Sequence, residues 1–167
     1  MIGLLLALMP GEAQATRVNV GLSPAVQLHT GPRALAVGVG PLASVRVNLT
    51  EGLSAQAQLG VFDYGPAFVQ ANLGVLYSSR PLGLWRPSVG LELASTWGGV
   101  LRIYESTEDW KPTGAPVFAP RVMLQPLHFR TLPWTVSALN LSVGTGLESF
   151  GKSLSLGVEL LSVQYQF

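Results

Sequence analysis

The end of the chain, from Ser153 to Phe167, alternates between two kinds of side chain. In its final part, apolar residues alternate with small or polar ones: Leu161, Val163, Tyr165 and Phe167 with Ser162, Gln164 and Gln166. Because successive side chains of a β-strand point to opposite faces, this spacing predicts a strand with one apolar and one polar face. Such a strand suits lipid on one side and a packed polar interior on the other.

The alternation changes phase once within this stretch. Leu154 and Leu156 are out of step with the apolar residues that follow Leu160. A β-bulge inserts one extra residue and produces such a slip, so we predict a bulge at Leu160-Leu161. Glu159 then belongs to the polar face.

Few residues carry a charge. Charged residues make up 11% of the chain and hydrophobic ones 48%, whereas an ordinary soluble domain has roughly 25% charged residues. No stretch approaches the roughly 20 apolar residues of a membrane-spanning helix. The formal net charge of +1 gives no electrostatic case for a nucleic-acid partner. The absence of cysteine excludes disulfides and thiolate chemistry.

The first residues have the features of a processed leader. Ile2 to Leu8 is a short apolar core, and Ala13-Gln14-Ala15 fits a small-x-small cleavage site. We expect residues 1–15 to be a cleaved signal peptide, truncated at its start because a positive n-region is missing. The alternative is a small N-terminal helix that plugs the domain. Residues 16–167 are expected to form one domain.

Eight alternating runs, separated by turn residues, follow the leader. They are Arg17–His29, Ala34–Thr50, Leu53–Phe62, Ala67–Ser78, Trp85–Trp97, Val117–Gln125, Trp134–Glu148 and Ser153–Phe167. The seventh changes phase near Ala138-Leu139, which predicts a second bulge. A tilted strand needs roughly 9–11 residues to cross a bilayer. The runs therefore predict an all-β fold, an eight-stranded antiparallel up-and-down transmembrane β-barrel.

The last strand carries a family resemblance. Phe167 ends the chain and Tyr165 lies two positions earlier, which resembles the terminal strand of bacterial outer-membrane β-barrels. The whole pattern resembles the small eight-stranded barrels of the OmpA-transmembrane and OmpX type. The resemblance implies a location in the bacterial outer membrane, contact with its lipid, and recognition of the C-terminal strand by the barrel-assembly machinery. It implies no cofactor, and we expect a monomer.

Alternation alone also fits a soluble lipocalin-like barrel. The two lysines, Lys111 and Lys152, both lie in predicted loops, whereas a water-exposed sheet face usually carries several. We therefore favour lipid outside. In the family both chain ends are periplasmic, so the connection after the fifth strand is external, and the longest loop falls there. Five prolines count against regular strands, and we expect bulges or shortened strands at some of them: Pro24, Pro41, Pro87, Pro120 and Pro126.

Aromatic residues of outward phase cluster at the predicted periplasmic ends of the strands. They are Tyr77, Trp85, Trp134, Tyr165 and Phe167. This placement predicts an aromatic girdle at the membrane interface. Trp97 and Phe118 would begin the opposite girdle.

Charged residues of inward phase predict a network in the lumen. They are Arg17, Arg46, Arg86, Glu92, Arg121, Glu148 and Glu159. Side chains can fill the interior of an eight-stranded barrel, so we expect no open pore. Buried charges should pair with one another or with water. We favour an ion-paired plug over a charged gate or proton path.

Catalysis is the weaker hypothesis. Some outer-membrane barrels are lipid-modifying deacylases or acyltransferases that use His with Ser and an acidic residue. Here His29 shares the external half with Ser23 and Glu148, but the His-x-Ser spacing of the deacylases is missing, and His128 lies at the other end. Two distant histidines also make no metal site.

The loop at 98–116 is the candidate for specific contacts. It contains Arg102, Tyr104, Glu105, Glu108, Asp109, Trp110 and Lys111. It could bind an unknown extracellular partner or form a cap with no partner. The leading hypothesis is a non-enzymatic barrel with a structural or surface-interaction role. A lipid-modifying barrel enzyme comes second, and a soluble ligand-binding barrel third.

Overall fold

The period-two alternation forms β-strands in the computed structural model. The structure describes residues 17–30, 35–65, 67–98, 117–147 and 152–167. The strands are β1 (Val18–Thr30), β2 (Leu35–Asn48), β3 (Leu53–Asp63), β4 (Ala67–Ser78), β5 (Ser88–Trp97), β6 (Val117–Gln125), β7 (Leu127–Thr131), β8 (Trp134–Gly144) and β9 (Leu154–Gln166). Within those ranges, no helix is long and apolar enough to cross a membrane.

The strands form a closed antiparallel sheet. Each strand from β1 to β5 pairs with its successor, β9 pairs with both β1 and β8, and β6 closes the ring through β8. β6 and β7 both pair with β8 and are separated only by Pro126, so they are two segments of one barrel strand. The predicted eight-stranded up-and-down barrel is thereby confirmed.

The two ends of the barrel differ in their connections. The lower end carries Arg17, Phe167 and the connections 49–52, 79–87 and 132–133. The upper end carries the connections 31–34, 64–66, 98–116 and 145–153. The longest connection thus lies at the end opposite Arg17 and Phe167. Long connections at the external end are typical of membrane barrels, although the lower connection 79–87 is as long as the upper connection 145–153.

The distribution of polar and apolar side chains is inverted relative to a soluble protein. The buried side chains are mainly Ser, Gln, Asn and Thr, with few apolar ones. Large apolar side chains are exposed at alternating positions, such as Leu59, Leu73 and Leu91. A soluble protein buries such residues, and a soluble ligand-binding barrel has an apolar interior. The apolar outer surface therefore suits lipid.

Both predicted phase slips are present. Leu160 and Leu161 are both exposed, and the β1–β9 register shifts between Leu22 and Ala25. In β8 the inward positions change from odd to even numbers around Leu139, which has a positive φ of 55°. β8 and β9 therefore each have one residue more than regular alternation allows.

A third slip, at Pro126, lies level with these two. Gln125 and His128 are both buried, so the inward phase changes between β6 and β7. Pro126 lies opposite Leu139, and Leu139 lies opposite Leu160. The extra residues therefore form one line across three neighbouring strands, which we call the slip line. Because the extra residues of the three strands lie at the same level, β8 stays in register with the strands on both sides.

Two of the five prolines, Pro24 and Pro41, lie where the strand pairing is interrupted. Pro24 falls in the interval where the β1–β9 register shifts, and its partner in β2 is Pro41. Pro41 falls between Val39 and Leu42, where β2 and β3 are not paired. Of the other three, Pro87 precedes β5, Pro126 separates β6 from β7, and Pro120 is accommodated within β6. The expected bulges and shortened strands thus occur at several of them.

The inverted surface yields a direct test. Leu73, in the middle of β4, and Leu82, in the connection 79–87, are both 65% exposed. We expect Leu73→Arg to lower the free energy of unfolding by about 2–4 kcal/mol, because a charge then faces hydrocarbon near mid-bilayer. Leu82→Arg should cost only about 0–1 kcal/mol near the interface. Denaturant titration in liposomes measures both, and equal costs would argue against a lipid-facing β4.

Candidate functional site: the polar interior and the aromatic lower rim

Glu159 organises the middle of the interior. Its Oε1 accepts a hydrogen bond from Nε2 of Gln58 at 2.6 Å. Its Oε2 accepts from Nδ2 of Asn140 at 3.1 Å and from Oγ of Ser23 at 3.3 Å. The three donors belong to β3, β8 and β1. One carboxylate from β9 therefore ties together three strands through charge-assisted hydrogen bonds.

Amide side chains extend this network from β3 to the neighbouring strand β4. Oε1 of Gln58 accepts from Nδ2 of Asn72 at 3.0 Å, and Oδ1 of Asn72 accepts from Nε2 of Gln70 at 2.9 Å. All three amides are buried. Gln58 and Asn72 each both donate and accept, so the series passes from β3 to β4 without further charges.

Arg46 is held by amide oxygens below Glu159. Its Nε and Nη2 donate to Oε1 of Gln56 at 3.1 and 2.6 Å, and Nη2 also donates to Oε1 of Gln125 at 2.8 Å. The residue is only 3% exposed. Its charge is therefore buried among neutral acceptors.

A second group centres on Arg121. Nη1 of Arg121 lies 3.5 Å from Oε1 of Glu92, an ion pair in which both side chains are almost fully buried. Nε and Nη2 donate to Oγ of Ser155 at 3.0 and 2.6 Å. Ser155 in turn contacts Nδ1 of His29 at 3.1 Å, and Nε2 of His29 contacts the hydroxyl of Tyr64 at 3.0 Å. The ring of Tyr64 packs beside the rings of Phe62 and Phe68.

The predicted lumen charges fall into two sets. Arg46, Glu92 and Arg121 are buried and Glu159 is half-buried in the interior. Arg17 is exposed and Arg86 half-buried, and both lie at the lower mouth. Glu148 lies outside the described residues. Among the charges that the structure describes, Arg121 and Glu92 form an ion pair, whereas Arg46 and Glu159 are satisfied by amides.

The amides are the partners that the charge pattern alone did not reveal. Gln56, Gln58, Gln125 and Asn140 all lie at inward-phase positions. Alternation could have placed them in the lumen. Their pairing depends on strand tilt and shear, which alternation does not specify.

The five residues predicted for the aromatic girdle are all exposed on the outer surface of the lower end. They are Tyr77, Trp85, Trp134, Tyr165 and Phe167. Trp134, Tyr165 and Phe167 form a row of edge-to-face contacts with centroids 5.0 Å apart at each step. The indole Nε1 of Trp85 donates to the carbonyl of Pro126 at 2.6 Å. That bond satisfies a carbonyl of the slip line, at the break between β6 and β7.

The structure separates Ser23 from His29, two residues of the catalytic hypothesis, whereas the third, Glu148, lies outside the described residues. Ser23 contacts Glu159 and the carbonyl of Leu42, not His29. His128 lies at the lower mouth. Throughout the described ranges, no three His, Asp or Glu side chains are grouped to hold a metal ion. The predicted contact residues in 98–116 and the predicted leader at 1–15 lie outside the described residues.

The Glu159 network predicts unequal costs for two changes in β9. Glu159→Ala removes the acceptor of three side-chain donors, so we expect the free energy of unfolding to fall by about 2–4 kcal/mol. Ser162→Ala is the matched control, because Ser162 is 1% exposed and its Oγ has no hydrogen-bond partner among the described residues. It should cost less than about 1 kcal/mol. Denaturant titration compares the two, and similar losses would show that Glu159 does not organise the interior.

The sequence matches no protein-family model and no curated protein. Solved structures are similar in fold. Neisserial surface protein A (NspA) has a TM-score of 0.63 at 12% identity, over 90% of this chain and 97% of that one. The N-terminal β-barrel domain of Pseudomonas aeruginosa OprF has a TM-score of 0.57 at 17% identity, over 89% and 97%. Ail, the attachment invasion locus protein of Yersinia pestis, has a TM-score of 0.51 at 8% identity, over 91% and 99%.

These structures are small outer-membrane β-barrels. Their similarity covers nearly the whole of this chain, and their own chains are covered almost completely. Together with the apolar outer surface, they support a location in the bacterial outer membrane. The chain therefore has the fold of the small eight-stranded outer-membrane β-barrels.

Proposed function

We propose that the chain is an integral outer-membrane β-barrel with a structural or surface-interaction role, a side-chain-filled lumen and no catalytic activity. The observation that carries the proposal is the inversion of the two faces, with Gln, Asn and Ser inside and Leu, Val and aromatic residues outside. A barrel with this arrangement is stable only where lipid surrounds it.

The interior supports a closed lumen. The mid-barrel space lined by Gln58, Glu92, Asn140 and Glu159 has a cavity volume of about 10 Å³, which holds about one water molecule. Arg46 and Arg121 cross the interior on either side of it, each bound to residues of other strands. Barrels that conduct freely have 16 or more strands, whereas eight leave little more than room for side chains.

The surface-interaction role is assigned to the upper end. The longest connection, 98–116, lies there and contains the mixed acidic, basic and aromatic residues that suit specific contacts. The name of the Yersinia pestis relative in fold, an attachment invasion locus protein, describes such a role for that protein. The alternative for this chain is that the loop covers the barrel and has no partner.

Assembly is assigned to the last strand. The amide of Phe167 donates to the carbonyl of Val18 at 2.9 Å, and β9 pairs along β1 to close the ring. We propose that the barrel-assembly machinery recognises β9 and that the barrel works as a monomer. Closure leaves no free sheet edge through which a second copy could pair.

The buried Ser155–His29 pair does not favour an enzyme. A nucleophile and base need such a contact, but both residues are 0% exposed and Arg121 also binds the hydroxyl of Ser155. A lipid substrate on the outer surface could not reach them.

Cell fractionation tests the proposal. The protein should enter the outer-membrane fraction, require detergent for extraction and migrate faster on gels before boiling than after it, because the closed barrel stays compact. In planar bilayers it should show no steady conductance. A freely soluble protein would overturn the membrane assignment, and a stable conductance would overturn the filled lumen.

Replacing 99–116 with a Gly-Ser linker tests the surface role separately. We expect the variant to keep its heat-modifiable mobility, because the linker replaces only a connection between β5 and β6. Cells that carry it should lose adhesion to host-cell or matrix surfaces that the unaltered chain confers. Unchanged adhesion would favour the loop as a cap without a partner.

A further inference from the structure

The lower mouth of the barrel contains a cavity of about 290 Å³. Its lining comes from the lower ends of β1, β2, β3, β4, β7 and β8, and from two of the lower connections. The charged lining residues are Arg17, Arg46, Glu51, Arg86 and Arg130, and His128 also lines the cavity. Residues far apart in the chain therefore surround one open space.

The charge of this lining is strongly positive. It contains four arginines and one glutamate, a net charge of +3 with His128 neutral. In the part of the chain that the structure describes, none of the four arginines forms an ion pair. A concave surface with one sign of charge concentrates counter-ions.

The hydrogen bonds of these arginines orient them without neutralising them. Arg86 donates to the backbone carbonyls of Glu51 and Ser79. Arg130 donates to Oε1 of Gln166 at 2.6 Å. Arg17 has no side-chain hydrogen bond to another described residue. All these acceptors are uncharged, so the positive charge remains available to a ligand.

His128 lies beside these arginines. It is 5% exposed and lines the cavity, and its enclosed Nδ1 has no hydrogen-bond partner among the described residues. Arg46, Arg86 and Arg130 all lie near it. His128 adds no negative charge to the mouth, so it leaves the charge of the arginines uncompensated.

We propose that the lower mouth binds a phosphate group. Guanidinium groups match the oxygens of phosphate with paired, charge-assisted hydrogen bonds, and Arg17, Arg86 and Arg130 all line the cavity. The phosphate could belong to a soluble molecule or to a lipid headgroup. Under the proposed function this end faces the periplasm, but the binding itself does not depend on that orientation.

Titration of the detergent-solubilised full chain with inorganic phosphate, at constant ionic strength in chloride, tests the site. We expect saturable binding, followed by calorimetry or by amide chemical shifts. Arg17→Gln with Arg130→Gln should weaken it by about tenfold or more, because two charge-assisted donors are lost. Arg80→Gln is the matched control, because Arg80 is exposed at the same end but does not line the cavity. It should bind phosphate within about twofold of the unaltered chain.

A second arm separates the two sources of phosphate. Barrels reconstituted in nanodiscs with phosphatidylglycerol, or with phosphatidylcholine alone, are titrated with inorganic phosphate. Competition by the anionic lipid alone would identify a headgroup, and equal binding in both would identify a soluble ligand. Failure to bind phosphate in any of these preparations, or equal affinity of the double variant and Arg80→Gln, would overturn the site. Heat-modifiable mobility of each variant shows that the barrel has folded, and the detergent result leaves the cellular location untouched.

Discussion

Backbone hydrogen bonding in lipid is the constraint on which the rest of the structure depends. No water is present in the hydrocarbon layer to bind an exposed N–H or C=O, so a spanning sheet must satisfy every such group internally. Closure of β1 onto β9 and of β6 onto β8 removes both sheet edges. The prolines interrupt this pairing at a few positions. Pro24 and Pro41 are partners and lie where the ladders to the other neighbouring strands are interrupted. At Pro126 the indole of Trp85 donates a hydrogen bond to the backbone carbonyl.

Closure also determines the chemistry of the interior. Inward positions on eight strands face a narrow space, where charges need partners. The chain meets this demand with neutral amides around Glu159 and Arg46, and with the Glu92–Arg121 pair. The cavity at mid-barrel has a volume of only about 10 Å³, whereas the cavity at the lower mouth has a volume of about 290 Å³ and a lining with excess positive charge.

Local patterns predicted the fold well, and long-range pairing explains what they missed. The spacing of apolar residues along β8 and β9 changes at Leu139 and Leu160, so both slips were visible in the sequence. β7 was missed, because five residues after a proline are too few to show a period. The amide partners of Glu159 and Arg46 were missed as well, since the pairing of inward side chains depends on strand tilt. The joining of Arg17, Arg86, His128 and Arg130 at one mouth depends on the same geometry.

The slip line has a consequence for how such a chain can change over time. Each of β6–β7, β8 and β9 is one residue longer than a regular strand at the same level, and the three extra residues oppose one another. Loss of one of them would reverse the two faces of everything beyond it and misalign both neighbours. Insertions and deletions in these three strands therefore keep β8 in register with both neighbours only when they are made together, whereas the unmatched extra residue of β9 shifts its register against β1. The length of each strand is set by its neighbours rather than by the membrane alone.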